Sequence, residues 1–360
     1  MRRFGVEEEL LLVNGETGYP MAVSQQIIEA REGQEPELTN EMQQEMIEAV
    51  TKPQTTMAEL RDAISAGRTF VDDAAQEFGS RVAALATSPL PVHPHPTEKE
   101  RYQTMVERYG ATARHSMECG FHIHASIDSP EEGVGAIDRM RNWLPALIAL
   151  SANSPFKDGE DTDYASYRTV SWRKWPTAGP TELFGSHAAY ETLEKTLLDT
   201  GVIVDSGMLY FDARLSRNHP TVEIRVADVC LSQQAAVTIA ALARALVDTA
   251  AREWKEGVEP RPGLAMPLRL ASWRAAISGL SGDLVHPESF EPAPAAEVVG
   301  LLVSHVSRSL AEFGDTDDVA LGINAILGDG NGAQWQRKVY DETGSLEEVV
   351  RRAAARTLVV

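Results

Sequence analysis

The chain has 360 residues, with 33 Lys and Arg against 53 Asp and Glu, giving a formal net charge of −20. At 43% hydrophobic and 24% charged residues it has the composition of a globular protein with a full core, not of a disordered chain. So acidic a balance excludes the concentrated Lys/Arg footprint of a nucleic-acid binder, and two cysteines, Cys119 and Cys230, are too few for a disulfide framework.

The charge is unevenly spread. Residues 1–60 hold 12 acids and 4 bases, whereas residues 139–225 hold 11 acids and 10 bases, so an anionic ligand can be handled in the middle of the chain. Three acids at positions 7–9 stand where a signal peptide needs an apolar run. Apolar stretches such as 143–150 fall far short of a membrane span. The expectation is a cytoplasmic protein with neither nucleic acid nor membrane as partner.

In chain order, residues 5–13 alternate with the period of a strand, which puts Glu7 and Glu9 on one face. Carboxylates at that spacing suit a hard divalent cation; the plain alternative is a solvated edge strand whose acids block aggregation. Glu41, Glu45 and Glu48 would line one face of a helix, or Glu48 would join the sheet if the chain turns extended there. From Met57 a 3.6-residue apolar period runs through Leu60, Ile64, Val71, Phe78, Val82 and Leu85, opened by a Thr56/Glu59 capping box. A Pro/His loop over 89–96 then leads to a helix expected to start at a Thr97/Glu100 capping pair and to stop near Gly110.

The segment 120–127 reads as a strand on which His122 and His124 face one way and Phe121, Ile123 and Ala125 face the core. An HxH on a strand occurs in some zinc hydrolases, yet neither HExxH nor a cysteine cluster accompanies it, and packed histidines are the plain alternative. A helix is expected over 133–150, followed by a long connection over 153–184 rich in Arg, Tyr and Trp; loops of that length usually carry function or are disordered. A helix over 187–200, strands over 209–215 and 221–229, and a long Ala-rich helix over 233–254 complete the central part. On the second of these strands Thr221, Glu223 and Arg225 share a face, and Asp212 with Arg214 repeats the acid–base pair on the neighbouring one; structural cross-strand ion pairs are the alternative. The last hundred residues are mostly helical in pattern, with a glycine-rich turn at 328–332. No repeat of 20–50 residues, no GxGxxG and no GxxxxGK[ST] is present, which favours an α+β fold with an antiparallel sheet over a doubly wound nucleotide fold. No low-complexity linker divides the chain, so residues 1–360 are expected to form a single domain.

Taken in order, GVEEE, EAVTKP, GFHIH, NSP, SYR with WRKWP, DARL, PTVEIRVADV and GNGAQWQR resemble the carboxylate-amine ligase family related to glutamate-cysteine ligase, along nearly the whole chain. The resemblance implies a glutamine-synthetase-like catalytic fold, a curved and mainly antiparallel sheet flanked by helices, with ATP and Mg²⁺ on the concave face. Carried onto matching positions, it implies Glu7, Glu9, Glu48 and Glu223 as metal ligands, His122 as a metal or phosphate-contacting residue, Arg225 as the catalytic cation facing the transferring phosphoryl group, and Arg214 as a catalytic contact to phosphate or substrate carboxylate. Contacts to ATP or substrate are implied at Asn153, Tyr167, Arg168, His124 and Arg337. Where family members often carry WDARL and VCDV, this chain has Phe211-Asp212-Ala213-Arg214-Leu215 and Val226-Ala227-Asp228-Val229, departures that remove no charged group. The implied reaction is phosphoryl transfer from ATP to a carboxylate and attack by an amine on the acyl phosphate, with small carboxylate and amine substrates and a homo-oligomeric enzyme. Its rivals are a metal-dependent hydrolase using His122 and His124, and a non-catalytic Mg-ATP sensor.

Overall fold

The structure, a computed structural model, describes residues 1–359. Its main sheet is built from β1 (Phe4–Asn14), β2 (Leu38–Asn40), β3 (Met46–Val50), β4 (Ser80–Ala83) and β5 (Gly120–Ser126). After a small hairpin of β6 (Phe156–Lys157) and β7 (Glu160–Asp161), it is completed by β8 (Ala213–Leu215) and β9 (Thr221–Asp228). The order is β2-β3-β1-β5-β9-β8, with β4 pairing the end of β1, and every pairing is antiparallel. The fold is the expected α+β architecture.

One face of the sheet is sealed by helices. The 23-residue helix Gln233–Lys255 packs against β1 and β5, and beside it lies the helix Met57–Gln76. Its length and apolar composition are those of a membrane span, but most of it is buried inside the protein, and that burial accounts for the pattern. On this side Glu8, the β1 acid of opposite parity to Glu7 and Glu9, is buried and receives Arg68 Nη2 at 2.6 Å and Nε at 3.1 Å. Arg68 also donates to the carbonyls of Cys230, Leu231 and Thr357, tying β1, the exit of β9 and the last helix together.

Several expected boundaries move. The helix from Met57 ends at Gln76 and the chain turns at Gly79 into β4, so Val82 is a strand residue; short helical and alternating patterns coincide over the few apolar positions involved. Thr56 and Glu59 form the expected capping box. Thr97 caps no helix: its hydroxyl donates to the Glu41 carbonyl, and the helix Glu100–Tyr109 starts from Lys99. The helix expected over 133–150 is two, Pro130–Met140 and Leu144–Ser151, separated by a 3-10 turn. The long connection is ordered and carries the helix Tyr167–Trp172 as well as the β6–β7 hairpin. The helices over 187–200 and 233–254 stand at His187–Asp199 and Gln233–Lys255.

Candidate functional site

The register of six strands places the polar side chains. Antiparallel partners directly opposite one another share a face, and the pairs Thr39–Glu48, Glu48–Glu9, Glu7–His122, His124–Glu223 and Glu223–Arg214 run across the sheet from β2 to β8. The question left by the 41–48 segment is thereby answered. Glu48 lies on β3, where an extended chain brings its carboxylate beside Glu9. At His122 the β5–β9 register slips, so that two β9 residues, Arg225 and Val226, oppose one on β5. This is a bulge, which re-aims side chains at the point where it occurs.

Glu7 is held by two imidazoles, with His122 Nδ1 at 3.1 Å from Oε2 and His124 Nε2 at 3.0 Å from Oε1. Burial alone would raise its carboxyl, but these hydrogen bonds and the charges behind them hold it well below the usual carboxylate range. His124 spends its other nitrogen on the Thr221 hydroxyl at 2.9 Å. Burial would lower this imidazole, and the Glu7 bond and charge override it and raise it. His122 differs. Burial, reinforced by Arg225, lowers it, and its Nε2 has no hydrogen-bond partner, with Glu9 Oε1 nearest among the carboxylates at 3.6 Å. The HxH pair therefore presents one imidazole nitrogen for a ligand, not the two a zinc hydrolase would use.

Ligand atoms of Glu7, His122 and Glu223 lie within 4.8 Å of one another, and so do those of Glu9, Glu48 and His122. His122 belongs to both groups. The second has no cation of its own, and Glu41, outside both groups, is pushed up to about 8 by burial with repulsion from Glu9 and Glu7. Burial and the charges of Glu7, Glu41 and Glu9 likewise raise Glu48 well above its ordinary value. Crowded carboxylates beside an unpartnered imidazole nitrogen form a donor set dominated by oxygen, and it fits Mg²⁺.

At the β8–β9 side the acid is already paired. Arg214 forks onto Glu223, Nε to Oε2 at 2.8 Å and Nη2 to Oε1 at 3.1 Å, and Arg225 Nη1 donates to the same carboxylate. Burial would raise Glu223, but the two guanidiniums hold it far below the carboxylate range. Arg168, buried behind them, donates to the Arg225 carbonyl at 3.3 Å. Gly120 makes room for it, since a Cβ there would stand 2.3 Å from Arg168 Nη2 and 2.9 Å from His122 Nε2.

Two connected cavities open over this face. The inner one, about 240 Å³, is lined by Glu7, Glu9, Glu41, Glu48, His122 and Arg225, with an aromatic wall opposite. The outer one, about 760 Å³, shares Glu7, Arg101, Gly207 and Arg214 with it and reaches His124, Glu223 and the 216–220 loop. Arg101, which the sequence pattern did not single out, forks onto Asp205 at this shared mouth with contacts of 2.7 and 3.1 Å. As one polar residue on an amphipathic helix, 104 positions from its partner, it carries no local signal.

Three expected contacts lie elsewhere. Asn153 is fully buried and donates to the carbonyls of Ala84 and Val229, while Gln336 donates to it, so it holds the last helices against the sheet. Tyr167 packs edge-on against Tyr164 and lines neither cavity. Arg337 forms an ion pair with Asp161 at 2.6 Å and donates to the Tyr164 carbonyl, and it lines neither cavity. The glycine-rich turn before it caps a helix through Asn331 and Gln334, and Gly332 packs directly onto Asn153.

The sequence model of glutamate-cysteine ligase family 2 matches residues 3–352. A protein of Streptomyces coelicolor carrying the provisional name glutamate-cysteine ligase 2 is 49% identical over 360 residues, covering 99% of both chains. A Paenarthrobacter aurescens protein provisionally named glutamate-cysteine ligase 2-1 is 48% identical over 367 residues, covering 99% of this chain and 95% of its own. Among solved structures, glutamate-cysteine ligase from Francisella tularensis in complex with AMP superposes with a TM-score of 0.68 at 13% identity, covering 100% of this chain and 89% of that one. A bifunctional glutathione synthetase from Pasteurella multocida gives 0.71 at 15% identity, covering 99% of this chain and 52% of that one.

Proposed function

The chain belongs to glutamate-cysteine ligase family 2, and from that premise we propose that it joins a carboxylate to an amine with ATP as co-substrate, through an acyl phosphate, with glutamate as the reference acid. The observation that carries this is the pair of ligand groups sharing His122 directly beside Arg225 and Arg214. Acids that gather divalent cations stand next to arginines that meet an anion, as phosphoryl transfer requires. Glu7, Glu9, Glu48, His122 and Glu223 would hold Mg²⁺, which when bound would supply neutralisation of the nucleotide's phosphate charge.

The residues of the chain divide the remaining work. The Glu7 carboxylate is kept ionised and oriented by His122 and His124, so its oxygens are presented at fixed positions. Arg225 reaches the same face from the bulged part of β9, with Glu223 fixing one edge of its guanidinium and Nε left unpartnered. An anion moving from nucleotide to acid would meet that group. The nucleotide is assigned to the outer cavity, since ligand sites are usually about 300–1,000 Å³ and the inner cavity is smaller than that. Small acid and amine substrates suit the inner one.

The test is ADP release from Mg-ATP and glutamate across a panel of amines, cysteine among them, with mass spectrometry of the product. An amide formed in step with ADP, and only when acid and amine are both present, is the expected result. ATP bound without turnover over the whole panel of amines, and with other small acids in place of glutamate, would instead make this a sensor.

A further inference from the structure

The inner cavity continues past the metal-binding acids, and its far end has no role in the chemistry so far. Upstream of β5 the strand-like alternation persists. Met117 and Cys119 enter the core, whereas Ser116 and Glu118 line the cavity on the side of His122. Glu118 is fully buried, its side chain 0% exposed. Its Oε1 accepts from Lys157 Nζ at 3.0 Å and from the Ser171 hydroxyl, and its Oε2 has no partner among the described residues. Ser116 Oγ and Trp175 Nε1 are also buried without partners on this wall. Around them stand Met42, Met46, Tyr102, Trp172 and Tyr210.

A carboxylate oxygen left over in an aromatic-walled cavity asks for a donor, and a cation there gains both a charge-assisted hydrogen bond and the ring faces. Among the described residues Glu118 has no basic partner besides Lys157. Arg101 and Arg214 are engaged by Asp205 and Glu223, and Arg225, paired with Glu223 through Nη1, keeps Nε unpartnered at the level of His122 and not of Glu118. Unpartnered guanidinium nitrogens of Arg168 and Arg173 border a separate void of about 20 Å³, room for about one water. In extended chain Glu118 and His122 lie about 13 Å apart, at roughly 3.3 Å per residue. A group held by Glu118 is therefore the far end of the amine substrate, not its nucleophile.

Resting on the ligase assignment, we propose that the inner cavity takes the amine substrate, and that Glu118 Oε2 selects amines whose distal end is a second, cationic N–H donor. The class is short diamines. The near nitrogen attacks the acyl phosphate carbon as a neutral amine, the amide C–N bond forms as the C–O bond to phosphate breaks, the amine proton leaves with the released inorganic phosphate, and the far ammonium stays on Glu118 unchanged.

The test compares 1,4-diaminobutane, butylamine and cysteine as ligands of the whole protein, by calorimetric titration with Mg-ATP saturating so that the acids of β1 and β3 are occupied, and as substrates by ADP release with a panel of acids. The diamine is expected to bind at least tenfold tighter than butylamine and cysteine, and Glu118→Gln to erase that preference with the KM for ATP unchanged. Glu118→Asp, which keeps a charge for Lys157 and withdraws it by one methylene, should lose most of it while still folding. Equal affinity for diamine and butylamine, a preference for cysteine, or a diamine preference surviving in Glu118→Gln would overturn the assignment of Glu118. Glu118-dependent diamine binding with no ADP from any acid would overturn the ligase assignment instead and leave the cation site standing.

Discussion

Arg225 and Glu223 sit two residues apart on β9, and the difference between them is one of commitment. Glu223 is locked by two guanidiniums, Arg214 having a bidentate grip that leaves it little freedom. Arg225 gives one nitrogen to that carboxylate and keeps Nε unpartnered beside the inner cavity. Removing Arg225 therefore leaves Glu223 paired and the strand intact. Arg225→Ala is expected to lower kcat for acid-dependent ADP release by about 10²-fold or more, the scale of losing one preorganised donor to a transition-state anion. Arg225→Lys, which restores the charge without the planar fork, should recover part of it. Steady-state kinetics beside a thermal unfolding curve checks both, and near-normal turnover in Arg225→Ala with an unchanged unfolding midpoint would remove the charge-stabilising role.

At the scale of elements, the site depends on β5 running close under the helix Tyr167–Trp172, and Gly120 is what permits it. A methyl group there would meet Arg168 Nη2 at 2.3 Å and His122 Nε2 at 2.9 Å, so either the guanidinium or the imidazole must move. Gly120→Ala is expected to cost about 1–3 kcal/mol of stability, as overpacking does, and to weaken Mg²⁺ binding about tenfold through displaced His122. Urea unfolding and calorimetry separate the two effects; unchanged Mg²⁺ affinity would mean that Arg168 alone yields. The same comparison of elements shows what the sequence could disclose. Glu7 with Glu9, His122 with His124, and Glu223 with Arg225 were legible because a two-residue period on a strand fixes which side chains share a face. Glu48 was ambiguous because Glu41, Glu45 and Glu48 also fit a helical face, and only pairing with Glu9 decides between them. The β9 bulge, the Arg101–Asp205 fork and the far end of the inner cavity arise from contacts between distant segments, which no local pattern encodes. Asn153, Tyr167 and Arg337 fall in segments of family-like sequence whose residues serve packing and surface ion pairing away from the cavities.

For the whole molecule, a net charge of −20 and a cluster of acids on one sheet face make folding, protonation and cation binding a single linked equilibrium. Glu41 is the clearest handle, its carboxyl moved from an ordinary 4.5 to about 8. A carboxyl raised on folding makes the native protein hold a proton that the unfolded chain has already released. Its contribution to stability is therefore complete below pH 4.5 and is lost as pH rises through about 8, with a limiting slope of ~1.4 kcal/mol per pH unit. Glu48 is raised in the same direction, so the lost protons belong to the cluster and not to one residue. His122 and His124 are shifted in opposite directions, lowered by burial and raised by Glu7 respectively, and the comparison must cancel them. Glu41→Gln does so, because glutamine stays neutral while the imidazoles remain. In EDTA the mutant should gain on the wild type as pH rises from 4.5 to 8, and saturating Mg²⁺ should narrow the difference at the upper end, where the ionised acids bind the cation. Urea unfolding at several pH values, with and without Mg²⁺, measures both curves. Parallel wild-type and Glu41→Gln profiles in EDTA would show that Glu41 ionises freely, and a Mg²⁺ effect independent of pH would place the cation away from these acids.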